Sequence, residues 1–355
     1  MDYDNKRIMF IIGSMRRGGA ERVISILANN YAKSGWDVDI ITLLDDSNDY
    51  DLDSRINLKP IFKLGKSKFI QLPNWIFSIR RHVKDSNPDF IVSFIARINV
   101  ITLISCLGLK KPIIVSERND PKSDGRSFFV KISTYVMYNF ANKVIFQTEW
   151  AKSCFPKCIQ KNSIIIPNPV SVKVRHIESD SKKIVAVGRL EEQKNHSLLI
   201  DVFKNLSLKY PEYKLYIFGE GSLKSKLIKK VKNLNLENCV IFPGNKKNIH
   251  ENIVDAEVFV LSSNYEGLSN ALLEAMAMGI PCISTNCAGS NEIIIDEKNG
   301  LLVPIKSEKD LENAIERLIL NKNLRLSLGE NAYSSMKNLN LTNILNLWND
   351  TIINS

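Results

Sequence analysis

Glu266-Gly-Leu-Ser-Asn-Ala-Leu-Leu-Glu274-Ala-Met-Ala-Met-Gly279-Ile-Pro281 is the stretch on which the reading of this chain turns. It follows an apolar run at 258–261 and a polar turn at 262–265. Ser269 is placed to cap a helix, and 271–278 are strong helix formers. Gly279 and Pro281 end that helix. A helix that starts at the carboxyl end of a strand sits where open α/β sheets bind ligands. Its free amides, with Gly267 permitting close approach, favour an anion such as phosphate. Two carboxylates flank this anion site. Glu274 lies in the first turns of an apolar helix and needs hydroxyl or amide donors, because an unpaired buried charge is costly. A ribose diol supplies two hydroxyls. Glu266 precedes the helix and is placed to face a hydroxyl-rich or transiently cationic sugar. In isolation, Glu266 reads equally as a turn residue and Glu274 as a solvated helix residue.

The same strand, turn and helix succession extends outward in both directions. Strand-like runs at 184–187, 214–218, 239–242, 258–261 and 281–284 alternate with helical segments at 197–209, 223–234, 269–278 and 308–320. Residues 341–353 read as a terminal helix. Upstream, runs at 8–12, 38–44, 90–94, 112–116, 143–148 and 163–166 have helical segments between most of them. Runs apolar on both faces, alternating with helices, predict parallel sheets covered on both sides. Pro167, Asn168 and Pro169 interrupt regular structure, and 171–183 is charged and aperiodic. The expectation is two Rossmann-like α/β domains, 1–168 and 183–340, joined by a linker at 169–182, with 341–355 packing back on the first. A length of 355 residues suits two domains of roughly 150 residues each.

Two more strand-end loops carry candidate chemistry. Gly188-Arg189-Leu190-Glu191-Glu192-Gln193-Lys194-Asn195 follows the run at 184–187. Its two cations can converge on a diphosphate, Arg as a planar fork and Lys as a point charge. The string also suits an exposed charged loop. Gly13-Ser-Met-Arg-Arg-Gly18-Gly19-Ala20-Glu21-Arg22 follows the first run. A glycine-rich turn into a helix brings backbone amides against a phosphate or sugar. It is not G-x-G-x-x-G, no acid closes the second strand in the dinucleotide pattern, and a tight βα turn explains it equally.

Taken together, the GGAER turn, the GRLxxxKN loop and the E-x7-E segment with its GLSNALLEAMAMG-x-P continuation resemble the family 4 retaining glycosyltransferases. The motifs occur in that family's order and cover nearly the whole chain. The resemblance implies a GT-B fold, in which two Rossmann-like domains face each other across a cleft. It implies that Arg189 and Lys194 of the Gly188 loop bind the donor diphosphate, that Glu274 binds the ribose, and that Glu266 contacts the donor sugar near the reaction centre. The backbone of Gly267, Leu268, Ser269 and Asn270 would touch sugar and phosphates. Gly18 and Gly19 would close over the diphosphate, and Gly244 and Asn245 would lie near the base. No cofactor and no metal are implied, so fixed cations and helix amides must stabilise the leaving diphosphate. The family's working model for retention is same-face attack, with the leaving phosphate taking the acceptor's proton. One departure stands out. Where many relatives carry a His after the strand at 112–116, this chain has Ser116-Glu117-Arg118-Asn119-Asp120-Pro121. Arg cannot act as a general base at neutral pH. Arg118 is therefore assigned to the diphosphate or to an acidic acceptor, or the string is a capped turn before Pro121.

Composition narrows the setting. At 44% hydrophobic and 24% charged residues, the chain is neither disordered nor fibrous. Its four histidines are scattered, and its six cysteines lack zinc spacing. No run approaches the ~20 apolar residues that span a bilayer, and the N-terminal residues lack a signal-peptide layout. Net charge is +10, and residues 1–180 hold 27 basic and 18 acidic residues. Within them, 55–84 contains no Asp or Glu and interleaves Arg55, Lys59, Lys63, Lys66, Lys68, Arg80, Arg81 and Lys84 with aromatics. That mixture suits an anionic membrane surface, and no nucleic-acid motif is visible. The expected protein is cytoplasmic and peripheral on the inner face of the cell membrane. It moves a hexose or N-acetylhexosamine from a UDP-sugar to a polyprenyl-diphosphate-linked glycan, for O-antigen, capsule or a lipid-linked oligosaccharide. A UDP-sugar 2-epimerase of the same fold and a non-catalytic sugar-nucleotide-binding assembly protein are the rivals.

Overall fold

The computed structural model describes residues 6–16, 18–61 and 68–355, of which 68–70 by their backbone alone. The chain divides into two compact units, Met1–Pro169 with Thr342–Ser355, and Val170–Leu341. In the first, the described residues form a parallel sheet of seven strands: β1 (Arg7–Ile12), β2 (Asp37–Thr42), β3 (Ile56–Pro60), β4 (Phe90–Phe94), β5 (Ile113–Ser116), β6 (Lys143–Phe146) and β7 (Ser163–Ile165). Their order is β3-β2-β1-β4-β5-β6-β7. Central β1 sets the register, with Phe10 opposite Ile40 on one side and Val92 on the other. Ile8 through Ile12 are all fully buried, because helices cover both faces of the sheet.

The second unit repeats the plan with six parallel strands: β8 (Lys183–Val187), β9 (Lys214–Phe218), β10 (Val240–Gly244), β11 (Val258–Leu261), β12 (Cys282–Thr285) and β13 (Leu301–Val303). Their order is β10-β9-β8-β11-β12-β13. In each sheet the winding direction reverses beside the first strand, between β1 and β4 and between β8 and β11. Loops leaving the carboxyl ends of those pairs part there and leave a crevice for ligands.

Three elements depart from the sequence expectation. β3 is a half-exposed edge strand containing Lys59 and Pro60, so it shows no apolar run. β13 has three residues. The helix Lys322–Ser335 contains Gly329, which reads as a helix breaker. It is there because the helix Asn270–Met278 ends against it: a Cβ at Gly329 would lie 2.3 Å from the Gly279 carbonyl oxygen. Two strands also stop two residues earlier than expected. β2 stops at Thr42 as Leu43 and Leu44 donate to the Gly13 carbonyl. β6 stops at Phe146 because Thr148 caps the short helix Glu149–Ser153 by accepting from the Ala151 amide.

Residues 170–182 run along the second unit, where His176 and Ile177 donate to the carbonyls of Met278 and Val254. The helix Leu341–Ile353 brings Trp348, fully buried, against Phe94 of β4, with ring centroids 5.7 Å apart and planes at 17°.

Replacing a helical glycine by alanine ordinarily stabilises by about 0.4–1 kcal/mol. The Gly279 carbonyl reverses the sign here. Gly329→Ala is expected to destabilise by about 1–3 kcal/mol, read from the urea midpoint.

Candidate active site

In the second unit, the loops after β8 and β11 clasp each other at the reversal point. The Asn264 amide donates to the Gln193 carbonyl at 2.8 Å, and its side chain donates to the Glu192 carbonyl at 2.7 Å. Asn195 Nδ2 donates to Asn264 Oδ1 at 3.1 Å, and Ser262 Oγ to the Lys194 carbonyl at 3.0 Å. The clasp brings together side chains 72 positions apart. Lys194 Nζ lies 2.5 Å from Glu266 Oε1, and their side chains are 12% and 6% exposed. Ser263 Oγ donates to the same oxygen at 2.6 Å. Gln193 Nε2 approaches Glu266 Oε2 at 3.5 Å, and Arg189 Nη2 donates to Gln193 Oε1 at 3.1 Å. Arg189 is otherwise exposed. Three polar side chains thus hold one carboxylate, and Arg189 joins them through Gln193.

The next strand braces the β11 loop. Thr285 Oγ1 donates to the Ser263 carbonyl at 2.6 Å. A Cβ at Gly289, in the loop after β12, would lie 1.6 Å from the Gly267 carbonyl oxygen, so the two loops touch backbone to backbone. Ser269 then caps the helix Asn270–Met278, its side chain accepting from the Leu272 amide. Glu274, 7% exposed, meets His250 Nε2 through Oε2 at 3.0 Å. His250 stands on the short helix Ile249–Ile253 that follows β10, which ends at Gly244 with φ of 73°. The exposed Asn245 follows directly on Gly244.

Gly18, Gly19 and Arg118 belong to the first unit. Gly18 precedes the helix Gly19–Lys33, and no side chain caps that helix. Tyr50 holds the turn, accepting from the Gly18 amide at 3.0 Å and donating to its carbonyl at 2.7 Å. Across the reversal point, Ile95 at the end of β4 has φ of 76°, a strained geometry for a β-branched residue and of the kind that clusters at functional sites. Arg118, 7% exposed, follows β5. Its Nη1 donates to Asn168 Oδ1 at 3.0 Å, and its guanidinium lies 4.9 Å from the Phe94 ring and 5.3 Å from that of Trp348. Nε and Nη2 are buried without a partner. Burial lowers its pKa and Glu117 opposes the shift.

Sequence reasoning missed Gln193, Ser263, Thr285, Gly289, His250 and Ile95. The string Ala288-Gly289-Ser290 after β12 is the one signal available, a small-residue turn at a strand's carboxyl end. His250 gave none. Among the described residues no three His, Cys, Asp or Glu side chains converge as metal ligands.

Two family models match the chain in succession: Glycosyltransferase Family 4 over residues 17–174 and Glycosyl transferases group 1 over residues 169–335. The chain thus carries a glycosyltransferase family 4 domain followed by a glycosyl transferases group 1 domain, and its relatives include bacterial glycosyltransferases. Among these relatives, it is 27% identical to a Campylobacter jejuni protein, GalNAc-alpha-(1->4)-GalNAc-alpha-(1->3)-diNAcBac-PP-undecaprenol alpha-1,4-N-acetyl-D-galactosaminyltransferase, covering 96% of this chain and 97% of that one. It is 28% identical to a second from that organism, N-acetylgalactosamine-N,N'-diacetylbacillosaminyl-diphospho-undecaprenol 4-alpha-N-acetylgalactosaminyltransferase, covering 94% and 95%. The fold is GT-B. Anabaena HepE, solved in complex with UDP and glucose, superposes with a TM-score of 0.85 at 18% identity over 98% of this chain and 99% of that one.

His196, 4% exposed, follows the cationic loop directly and opens the helix His196–Lys209. Burial, reinforced by Lys194, pushes its pKa down to about 4. The unfolded chain takes up this proton near pH ~6.5. Between those values the unfolded state holds more protons, so stability falls as pH falls. The cost reaches about 3 kcal/mol at pH ~4. Urea unfolding across that window is expected to show a shallower acid loss for His196→Gln than for the wild type.

Proposed function

We propose that this glycosyltransferase moves a hexose or N-acetylhexosamine from a UDP-sugar, with retention, to a polyprenyl-diphosphate-linked glycan in bacterial polysaccharide or glycan assembly. We also place it at an anionic membrane surface. The observation that carries the reading is the buried Lys194–Glu266 pair beside the amides of the Asn270–Met278 helix. Support for the donor comes from HepE, solved with UDP and glucose. Support for the acceptor comes from the Campylobacter relatives, whose names include undecaprenol diphosphates.

The chemistry follows from what these residues can stabilise. Breaking the glycosyl–phosphate bond puts growing negative charge on the diphosphate and positive charge on the sugar. Lys194 and Arg189 meet the first, with the N-terminal dipole of the Asn270–Met278 helix. Glu266 meets the second, and loses part of its hold on Lys194 when phosphate oxygens arrive. The acceptor hydroxyl attacks from the face the diphosphate is leaving, and a phosphate oxygen takes its proton. Glu274 accepts from the ribose hydroxyls while His250 fixes its orientation. Gly244 and Asn245 border the base. The two unpartnered N–H groups of Arg118 take an anionic oxygen of the acceptor. No step requires a metal.

Release of UDP from a panel of UDP-sugars, with a polyprenyl-diphosphate acceptor and EDTA present, tests this. Lys194→Ala and Glu266→Gln are each expected to lower kcat by about 100- to 1,000-fold with the circular dichroism unchanged. Near-normal rates in both, or complete loss of activity in EDTA, would contradict the reading. His250→Ala is expected to weaken UDP binding about fivefold and leave kcat nearly unchanged.

A further inference from the structure

The helix Phe128–Met137 and the 3-10 turn Tyr138–Phe140 have their polarity inverted. Phe128, Phe129, Ile132, Val136 and Phe140 are 71%, 80%, 44%, 54% and 58% exposed. Thr134 is fully buried instead, and buried Tyr138 donates its hydroxyl to Glu117 Oε2 at 3.0 Å. Positions 128, 132, 136 and 140 follow the four-residue spacing that makes one stripe along a helix. The helix Ala96–Cys106, buried almost all round, packs against this helix and also against the helix Lys68–Ser86. That second helix exposes Leu72 and Phe77 at 44% and 72%. Exposed apolar residues scattered singly need no explanation, but an aligned set marks an interaction surface.

Charge selects the occupant. Residues 125–148 contain no Asp or Glu. Lys131 is exposed within that segment and Lys122 just before it, and Lys122 Nζ sits 4.4 Å from the ring of half-exposed Trp150. A stripe of phenylalanines edged by lysines, with a tryptophan at its margin, matches an anionic headgroup layer over an acyl boundary. A second copy fits less well, since a two-fold contact sets each patch against itself and residues 125–148 hold no carboxylate to meet Lys131. The basic stretch at 55–84 is less available than its composition promised. Arg55 pairs with Asp53 and Lys59 with Asp39, and Arg80 donates to the carbonyls of Ser105 and Leu107. Ile61 and Ile79 are buried. Lys63 and Lys66 lie outside the described residues, as does the side chain of Lys68.

We propose that the Phe128–Phe140 stripe is the face by which this protein docks on an anionic bilayer, with the aromatic rings at the acyl boundary and Lys122 and Lys131 among the headgroups. The proposal rests on the reading of a lipid-linked acceptor, since the enzyme then works where that lipid is held.

Flotation of the full chain with phosphatidylcholine vesicles, with and without phosphatidylglycerol, tests it. Wild type is expected to float with the anionic vesicles. The double variant Phe128→Ser, Phe129→Ser is expected to bind them at least about tenfold more weakly. Lys131→Glu alone is expected to weaken binding severalfold at low salt. Both variants should keep the thermal midpoint and UDP affinity of the wild type. Equal flotation of wild type and the double variant overturns the proposal. So does failure of the wild type to float, or a wild-type dimer in buffer that the double variant dissociates. UDP affinity is read in parallel: flotation lost by the variant while the wild type binds no UDP would sink the donor reading and leave the docking face standing.

Discussion

A lysine and a glutamate buried against each other at the mouth of a parallel sheet set the terms for the second unit. Lys194 and Glu266 are too far from water to stand alone, and removing one partner of such a pair typically costs about 3–5 kcal/mol. Their meeting depends on two loops leaving adjacent strands, β8 and β11, where the winding direction turns. Those loops hold each other through Asn195, Asn264 and Ser262. The loop after β12 backs them so closely that two glycines touch. The pair is therefore held in place by the architecture before any ligand arrives. In the proposed reaction a cation so placed has little reorganisation left to do when a diphosphate arrives, and that is the condition under which fixed charge is most effective in catalysis.

Much of this was legible in order along the chain. Apolar runs alternating with helices gave parallel sheets, and the loops after the strands gave the candidate cations and carboxylates. What failed to show were features whose cause lies in another part of the chain. β3 carries Lys59 because an edge strand is half exposed. The helix Lys322–Ser335 was not read from the sequence, and it carries Gly329 because the Gly279 carbonyl needs the space. Glu274 called for a donor, and hydroxyls were the expected answer. The structure supplies His250, one of four histidines that read as scattered. Nothing within 24 positions of sequence links those two residues; the fold of β10 and β11 does.

The first unit has a different character. Its reversal point carries strain at Ile95 and unpartnered donors at Arg118, where the second unit carries a neutralised pair. Arg118 lies against both Phe94 and Trp348, and its Nε and Nη2 are buried without a partner. One half of the chain thus presents a matched acid and base, and the other an arginine with hydrogen-bonding capacity to spare.

The stacking of Phe94 on Trp348 also has a consequence in time. The two rings stand 254 positions apart, with the entire second unit between them. At about 5–20 residues per second, a ribosome takes some tens of seconds to travel that distance. Throughout it, the nascent first unit has its β4 aromatic face bare and Arg118 without one of its two covering rings. The unit that is made first is therefore the one that is finished last.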